Sequence, residues 1–253
     1  GSMNDVIDMT PQTTLDPIST TSREVPWLDR FARVVTYPWF RIVHALRWYG
    51  TGNIPREGPV LIAANHQSFY DPVIISLTAG RRITYMGLKK FFDYPVLGGL
   101  MRRFGCVPVA EHPRTATAYR ELLRALRDGT ACGIFPEGGR SCDGLVGPPR
   151  PGVGALALAS GAPVVPVTIH GACRAWPTGR HLPRSGRIEV LFGQPMHFGA
   201  EERDVRVPRD RQTEVSREIM LRIAEGFAVL GREDVAERSR ARIGGEIRMR
   251  NEE

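Results

Sequence analysis

The sequence predicts an α/β fold: a central sheet, mostly parallel or mixed, covered by helices and preceded by an N-terminal helical hairpin that associates with a membrane surface. Three observations carry this expectation. Short apolar runs, Val60-Leu61-Ile62-Ala63-Ala64 and Val164-Val165-Pro166-Val167-Thr168-Ile169, read as strands buried on both faces. Stretches of helical period lie between them, and alternating strands and helices argue for a helix-covered sheet. Upstream of both, a segment dense in Trp, Phe and Arg stands apart.

The elements follow in order. Residues 1–24 contain Thr, Asp and Pro without periodicity, so a poorly ordered tail is expected, with Gly1-Ser2-Met3 reading as an expression scar. Residues 25–52 read as N-terminal amphipathic helices. Trp27, Phe31, Val34 and Val35 share one helical face, and Pro38 is expected to break or kink the helix near Tyr37. Arg30, Arg33, Arg41 and Arg47 interleave with Trp39 and Trp48. Rings and guanidiniums at headgroup level suit an interfacial anchor. Packing of the same apolar face on the domain core is the alternative.

The main domain is expected over residues 53–230. Val60 to Ala64 leads into Asn65-His66-Gln67-Ser68-Phe69-Tyr70-Asp71, and Asp71-Pro72 signals a helix start. Ile83 to Leu88 reads as a strand ending at Lys89-Lys90, and Tyr94 to Phe104 as a helix. Cys106 to Val109 is a short strand in which Pro108 marks an edge or bulge. Arg114 to Arg127 is helical and stopped by Gly129. Ala131 to Phe135 is a strand ending in the Pro136-Glu137-Gly138-Gly139 turn, and residues 142–152 form a surface loop over the site. Gly154 to Ser160 is a small-residue helix, Val164 to Ile169 and Ile188 to Phe192 are strands, and Thr213 to Leu230 is an amphipathic helix. Residues 231–253, charged and rich in Arg, read as a frayed helix or a solvated tail.

The chain of 253 residues has a net charge of +7, which favours anionic partners: phosphate-bearing substrates, nucleic acid or an acidic membrane surface. Of its 34 basic residues only Lys89 and Lys90 are lysines, and the isolated pair invites a phosphate contact. Cys106, Cys132, Cys142 and Cys173 show no metal-ligand spacing, and no secretory signal is visible, so free thiols in a reducing cytosol are expected. No apolar run approaches the ~20 residues of a membrane span. The expected location is cytoplasmic, peripherally associated with the inner face of the plasma membrane. Oligomeric state is open.

His66 and Asp71 lie five positions apart on one strand-to-helix turn. On one regular helix they would point about 140° apart, but across a loop they can meet. A carboxylate meeting an imidazole fixes its tautomer and stabilises its protonated form, so that the ring can take a proton from a hydroxyl. The bland alternative makes Asp71 a helix cap and His66 a polar turn residue.

A second motif, Ile134-Phe135-Pro136-Glu137-Gly138-Gly139-Arg140-Ser141, bears on that choice. His, four residues, then Asp, followed by Phe-Pro-Glu-Gly-x-Arg-Ser, resembles the PlsC-like glycerolipid acyltransferase family. The resemblance spans about Asn53 to Val167. It departs from the family at Ala110-Glu111, where an Arg commonly follows the acidic residue but here stands at Arg114, and at Gly139, which replaces Thr. Val164-Val165-Pro166-Val167 matches the family's apolar final motif.

The resemblance implies acyl transfer from a thioester, acyl-CoA or acyl carrier protein, to the free hydroxyl of a lysophospholipid, with 1-acyl-sn-glycerol-3-phosphate as the default acceptor. His66 would be the base and Asp71 its partner. Arg140 is the first choice for the acceptor phosphate, Arg114 the second, and Lys89 or Lys90 the third. Gly138 and Gly139 permit close backbone approach. Glu137 is expected to orient Arg140 or bind an acceptor hydroxyl. No cofactor is implied beyond the thioester co-substrate, and no metal.

Rival readings keep a place. A lysolipid with a larger headgroup, or a glycolipid, would suit the altered Ala110-Glu111 segment. A catalytically silent membrane- or lipid-binding protein would use only the aromatic N-terminus and the basic surface. A metallohydrolase lacks a second His at ligand spacing, a serine hydrolase lacks the G-x-S-x-G elbow, and nucleic-acid binding rests on charge alone.

Overall fold

The computed structural model describes residues 9–10, 27–88, 93, 99, 106–109, 115–141, 143–177, 183–199 and 207–250, with side chains at 27–33, 86–88, 106–109, 115–118 and 246–250 outside the description. Among the described residues seven strands form one sheet in the order β1-β7-β6-β2-β5-β3-β4. They are β1 (Arg47–Tyr49), β2 (Val60–Ala64), β3 (Thr84–Leu88), β4 (Cys106–Val109), β5 (Ala131–Ile134), β6 (Val164–His170) and β7 (Glu189–Phe192). β6, β2, β5, β3 and β4 run parallel. β7 pairs antiparallel with β6, and β1 pairs parallel with β7, so the sheet is mixed at one side only.

The centre of the sheet lies where the sequence is most apolar. All five residues of β2 are buried. Val60, Ile62 and Ala64 face one core layer, made with α1 (Trp27–Val43), α2 (Asp71–Thr78) and the short α5 (Ala172–Ala175). Leu61 and Ala63 face the other, made with α3 (Thr115–Arg127), α4 (Gly152–Ser160), α6 (Arg209–Val229) and α7 (Glu233–Arg250). A strand covered on both faces needs apolar residues at every position, which is why β2 reads as a run rather than an alternation. Close packing in the second layer depends on Gly154. A Cβ there would lie 2.1 Å from Gln212 O, and its N–H donates to Ser216 Oγ at 3.0 Å, locking α4 against α6.

Three expectations are corrected. The N-terminal segment is not a helical hairpin. One helix, Trp27–Val43, passes through Pro38, and the second expected helix is the edge strand β1. Pro38 is exposed, so the carbonyl deprived of its N–H partner can turn to solvent, and only one helical bond is lost. Residues 233–250 take the helical one of the two expected forms but are packed rather than solvated: α7 buries Ala236, Ser239 and Ile243 against the second layer. The loop expected at the surface buries Leu145 and Val146. The expected helix from Tyr94 to Phe104 lies outside the described residues, apart from residue 99. Pro108 sits, as expected, on the strand at the sheet edge.

Candidate active site

The two motif turns leave the ends of β2 and β5, which are parallel neighbours with Ala63 opposite Ile134. Parallel sheets bind ligands outside the carboxyl ends of their strands, and both turns lie there. His66 follows β2 by two residues, and Asp71 opens α2 with Pro72 behind it. Asp71 is fully buried, and its Oδ2 accepts three hydrogen bonds: from His66 Nδ1 at 2.8 Å, Gln67 N at 2.6 Å and Ser68 N at 2.8 Å. The carboxylate therefore folds back over its own turn instead of capping α2. With Nδ1 bound to a carboxylate, the ring proton sits on Nδ1, and the Nε2 lone pair is left free to accept. The His66 side chain is 21% exposed, so this nitrogen is reachable while its orienting partner is not.

The second motif holds the first. Phe135 stacks on the His66 ring with centroids 4.1 Å apart and planes at 19°, and Tyr85 stacks on Phe135 at 5.8 Å. Glu137 Oε1 accepts from His66 N at 3.1 Å and Oε2 from Gly147 N at 3.3 Å. Ser141 N donates to His66 O at 2.7 Å, and Gln67 Nε2 to Gly144 O at 3.0 Å. His66 thus has its ring, its N–H and its carbonyl all fixed. Burial pushes the Glu137 carboxyl up to about 7, against the two N–H donors, with Asp71 adding to the rise and Arg242 opposing it.

Glu137 does not orient Arg140: among the described residues no ion pair joins them. Arg140 instead sits over the face of Phe69, its Cζ 3.8 Å from the ring centroid. Gly138 and Gly139 are exposed, with Gly138 at φ 68°. Arg114, Lys89 and Lys90, together with Ala110 and Glu111, lie outside the described residues. No group of three or more His, Cys, Asp or Glu among the described residues could hold a metal ion.

Several supporting residues escaped the sequence. Asp143 accepts from Ser141 Oγ at 2.9 Å and Leu145 N at 3.1 Å, and pairs with Arg242 of α7 at 2.9 Å. Val146 N donates to the buried Ser239 Oγ at 3.1 Å. The only sequence signal for Ser239 and Arg242 was a charged run, which reads equally well as a solvated helix face.

Against known proteins, residues 45–170 match the Acyltransferase family model. The chain belongs to the acyltransferase family through that domain. The 1-acyl-sn-glycerol-3-phosphate acyltransferase LPAT1, chloroplastic, of Arabidopsis thaliana is 30% identical over 171 residues, 66% of this chain and 47% of that protein. The 1-acyl-sn-glycerol-3-phosphate acyltransferase of Bacillus subtilis is 26% identical over 152 residues, 59% of this chain and 72% of that protein. The chain spans about half the length of its chloroplastic relatives, 47% and 48%. Among solved structures, the acyltransferase PlsC of Thermotoga maritima superposes with a TM-score of 0.65 at 22% identity, over 83% of this chain and 84% of that one, which is a likeness of fold. The family assignment places both motif turns, from His66 to Ser141, inside the matched domain.

Proposed function

We propose that this acyltransferase moves a fatty acyl group from a thioester, acyl-CoA or acyl carrier protein, to the free hydroxyl of 1-acyl-sn-glycerol-3-phosphate, giving phosphatidic acid. The observation that carries the reading is the His66–Asp71 pair: an accessible imidazole whose Nδ1 is held at 2.8 Å by a fully buried carboxylate. The relatives' names supply the acceptor.

The reaction proceeds directly. His66 Nε2 takes the acceptor's hydroxyl proton as that oxygen attacks the thioester carbonyl carbon. The C–S bond then breaks, and the imidazolium returns the proton to the leaving thiolate. Asp71 keeps the ring in the productive tautomer and stabilises the imidazolium, as the carboxylate of a catalytic triad does. Positioned acid–base help of this kind contributes about 10²–10⁴-fold, and holding both substrates together supplies more. Arg140, placed over Phe69, presents a planar fork to the acceptor phosphate.

Membrane contact is part of the proposal. On α1, Val34 is 67% and Ile42 82% exposed, with Val35 and Trp39 beside them. An apolar stripe of that kind, on a helix whose other side buries Phe40, suits the headgroup boundary from which a lysolipid would come. No helix among the described residues is long and apolar enough to cross a membrane.

The test is thiol release from palmitoyl-CoA with a panel of lysolipids, using the wild-type and His66→Ala proteins. Release that depends on lysophosphatidic acid, and that falls by at least about 10²-fold in His66→Ala, is expected. Near-wild-type turnover by that variant would discard the mechanism. Release only with another lysolipid would move the acceptor and keep the chemistry.

A further inference from the structure

Arg150 belongs to neither motif. It lies in the Gly- and Pro-rich stretch before α4, where its backbone N–H donates to Pro136 O at 2.9 Å and pins it beside the Pro136–Gly139 turn. Its side chain then runs across that turn. A Cβ on Gly138 would lie 2.3 Å from Arg150 Nε and 2.9 Å from its Cζ, so the missing side chain at Gly138 is what admits the guanidinium.

The guanidinium is placed but not paired. Arg150 is exposed, and among the described residues no carboxylate meets it. Its neighbour Glu137 is turned inward, onto the N–H groups of His66 and Gly147. Two residues past Gly138, Arg140 lies on Phe69, likewise without a carboxylate partner. Between them Gly139 is exposed, and a Cβ there would meet nothing within 4 Å. Two unpaired guanidiniums therefore border one open backbone turn, and that turn carries the glutamate that holds His66.

The geometry points to Arg150 as a second cationic ligand for the acceptor headgroup, selecting a phosphomonoester over a phosphodiester. The inference rests on the acyltransferase reading above. A monoester carries about −1.5 to −2 charges near neutral pH and three free oxygens. A diester carries a single charge and fewer free oxygens. Guanidinium forks make their strongest bonds to phosphate oxygens, so a second fork favours the more highly charged group.

The experiment compares wild-type, Arg150→Gln and Arg150→Lys proteins with two acceptors, 1-acylglycerol 3-phosphate and 1-acylglycerophosphoglycerol. The Gln variant is expected to raise KM for the monoester by about tenfold, equivalent to about 1.4 kcal/mol, with kcat within about twofold. Its effect on the diester is expected to stay below about threefold, and Lys, which keeps the charge but loses the fork, to restore only part of the loss. An unmoved KM overturns the inference, as does an equal rise for both acceptors, or a fall in kcat together with Tm, which would make Arg150 a brace for the turn. Transfer to neither acceptor by the wild-type protein would fail the function reading. Calorimetric binding of short-chain 1-acylglycerol 3-phosphate then decides the inference separately: about tenfold weaker binding by the Gln variant supports it, and equal binding, or none by the wild type, overturns it.

Discussion

Glu137 shows how one side chain can serve a site without touching the chemistry. Its two oxygens join the His66 turn to the loop at Gly147, and each takes one backbone N–H. A glutamine cannot satisfy both donors, because its Nε2 would face an N–H. Glu137→Gln is therefore expected to lower kcat about tenfold or more while leaving acceptor KM nearly unchanged; a rise in KM alone would argue for acceptor contact instead. Burial raises this carboxyl from an ordinary 4.5 to about 7. Between those values the folded state holds more protons than the unfolded, so this group's contribution to stability falls as pH rises from 4.5 to about 7 and is flat above. The Gln variant should flatten that slope in Tm between about pH 5 and about pH 7.5, and an unchanged slope would refute the assignment. At this scale the sequence was legible where spacing carried chemistry: His66, Asp71 and the Glu137–Arg140 turn all lie beyond the carboxyl ends of two neighbouring interior strands. The two partners of Glu137 were not legible, because both are backbone N–H groups, and backbone donors have no residue type.

Among the elements, α7 departs furthest from its sequence reading. Charge dominates its text, and among its described side chains only Ala236, Ser239 and Ile243 are buried. Three small or medium residues among many Arg and Glu leave a weak period, so a buried stripe and a solvated face look alike. Yet α7 ties down the loop that steadies the His66 turn. Burial alone would raise the Asp143 carboxyl, but the Arg242 guanidinium, the Leu145 N–H and the Ser141 hydroxyl outweigh it and hold it at about 2. Ser239→Ala leaves the Val146 N–H buried without an acceptor and is expected to cost about 1–3 kcal/mol in stability, read by denaturant unfolding. Arg242→Leu frees an exposed pair, so Tm should hardly move while kcat falls by a few fold. If kcat is untouched in both variants, α7 does not position the site. The N-terminal segment failed for a different reason: Pro38 is a sound helix breaker in a helix interior, but here it stands on the exposed side of α1.

For the molecule as a whole, the alternation of strands and helices was enough to place a helix-covered sheet and its ligand edge. The antiparallel junction between β6 and β7 was not visible, because strand direction depends on how the chain returns, and residues 171–188 have no strong period. The exposed Val34, Trp39 and Ile42 give the molecule one apolar pole in a body of net charge +7. Replacing Val34 and Ile42 with Asp should leave Tm unchanged, since both are exposed, and reduce co-sedimentation with anionic vesicles by about tenfold. Equal sedimentation would return α1 to a purely structural role. The seat of that helix has a further consequence, in the order of assembly. His44 O accepts from Ile188 N, Arg47 N donates to Ile188 O, and Asn53 Nδ2 reaches Phe192 O at 2.9 Å across 139 positions of chain. The first strand therefore has nothing to pair with until the last has been made, and contacts at such separation form late. During synthesis α1 and β1 emerge before β7, the strand that β1 pairs with, so the edge of the sheet beside α1 waits unpaired until β7 has formed.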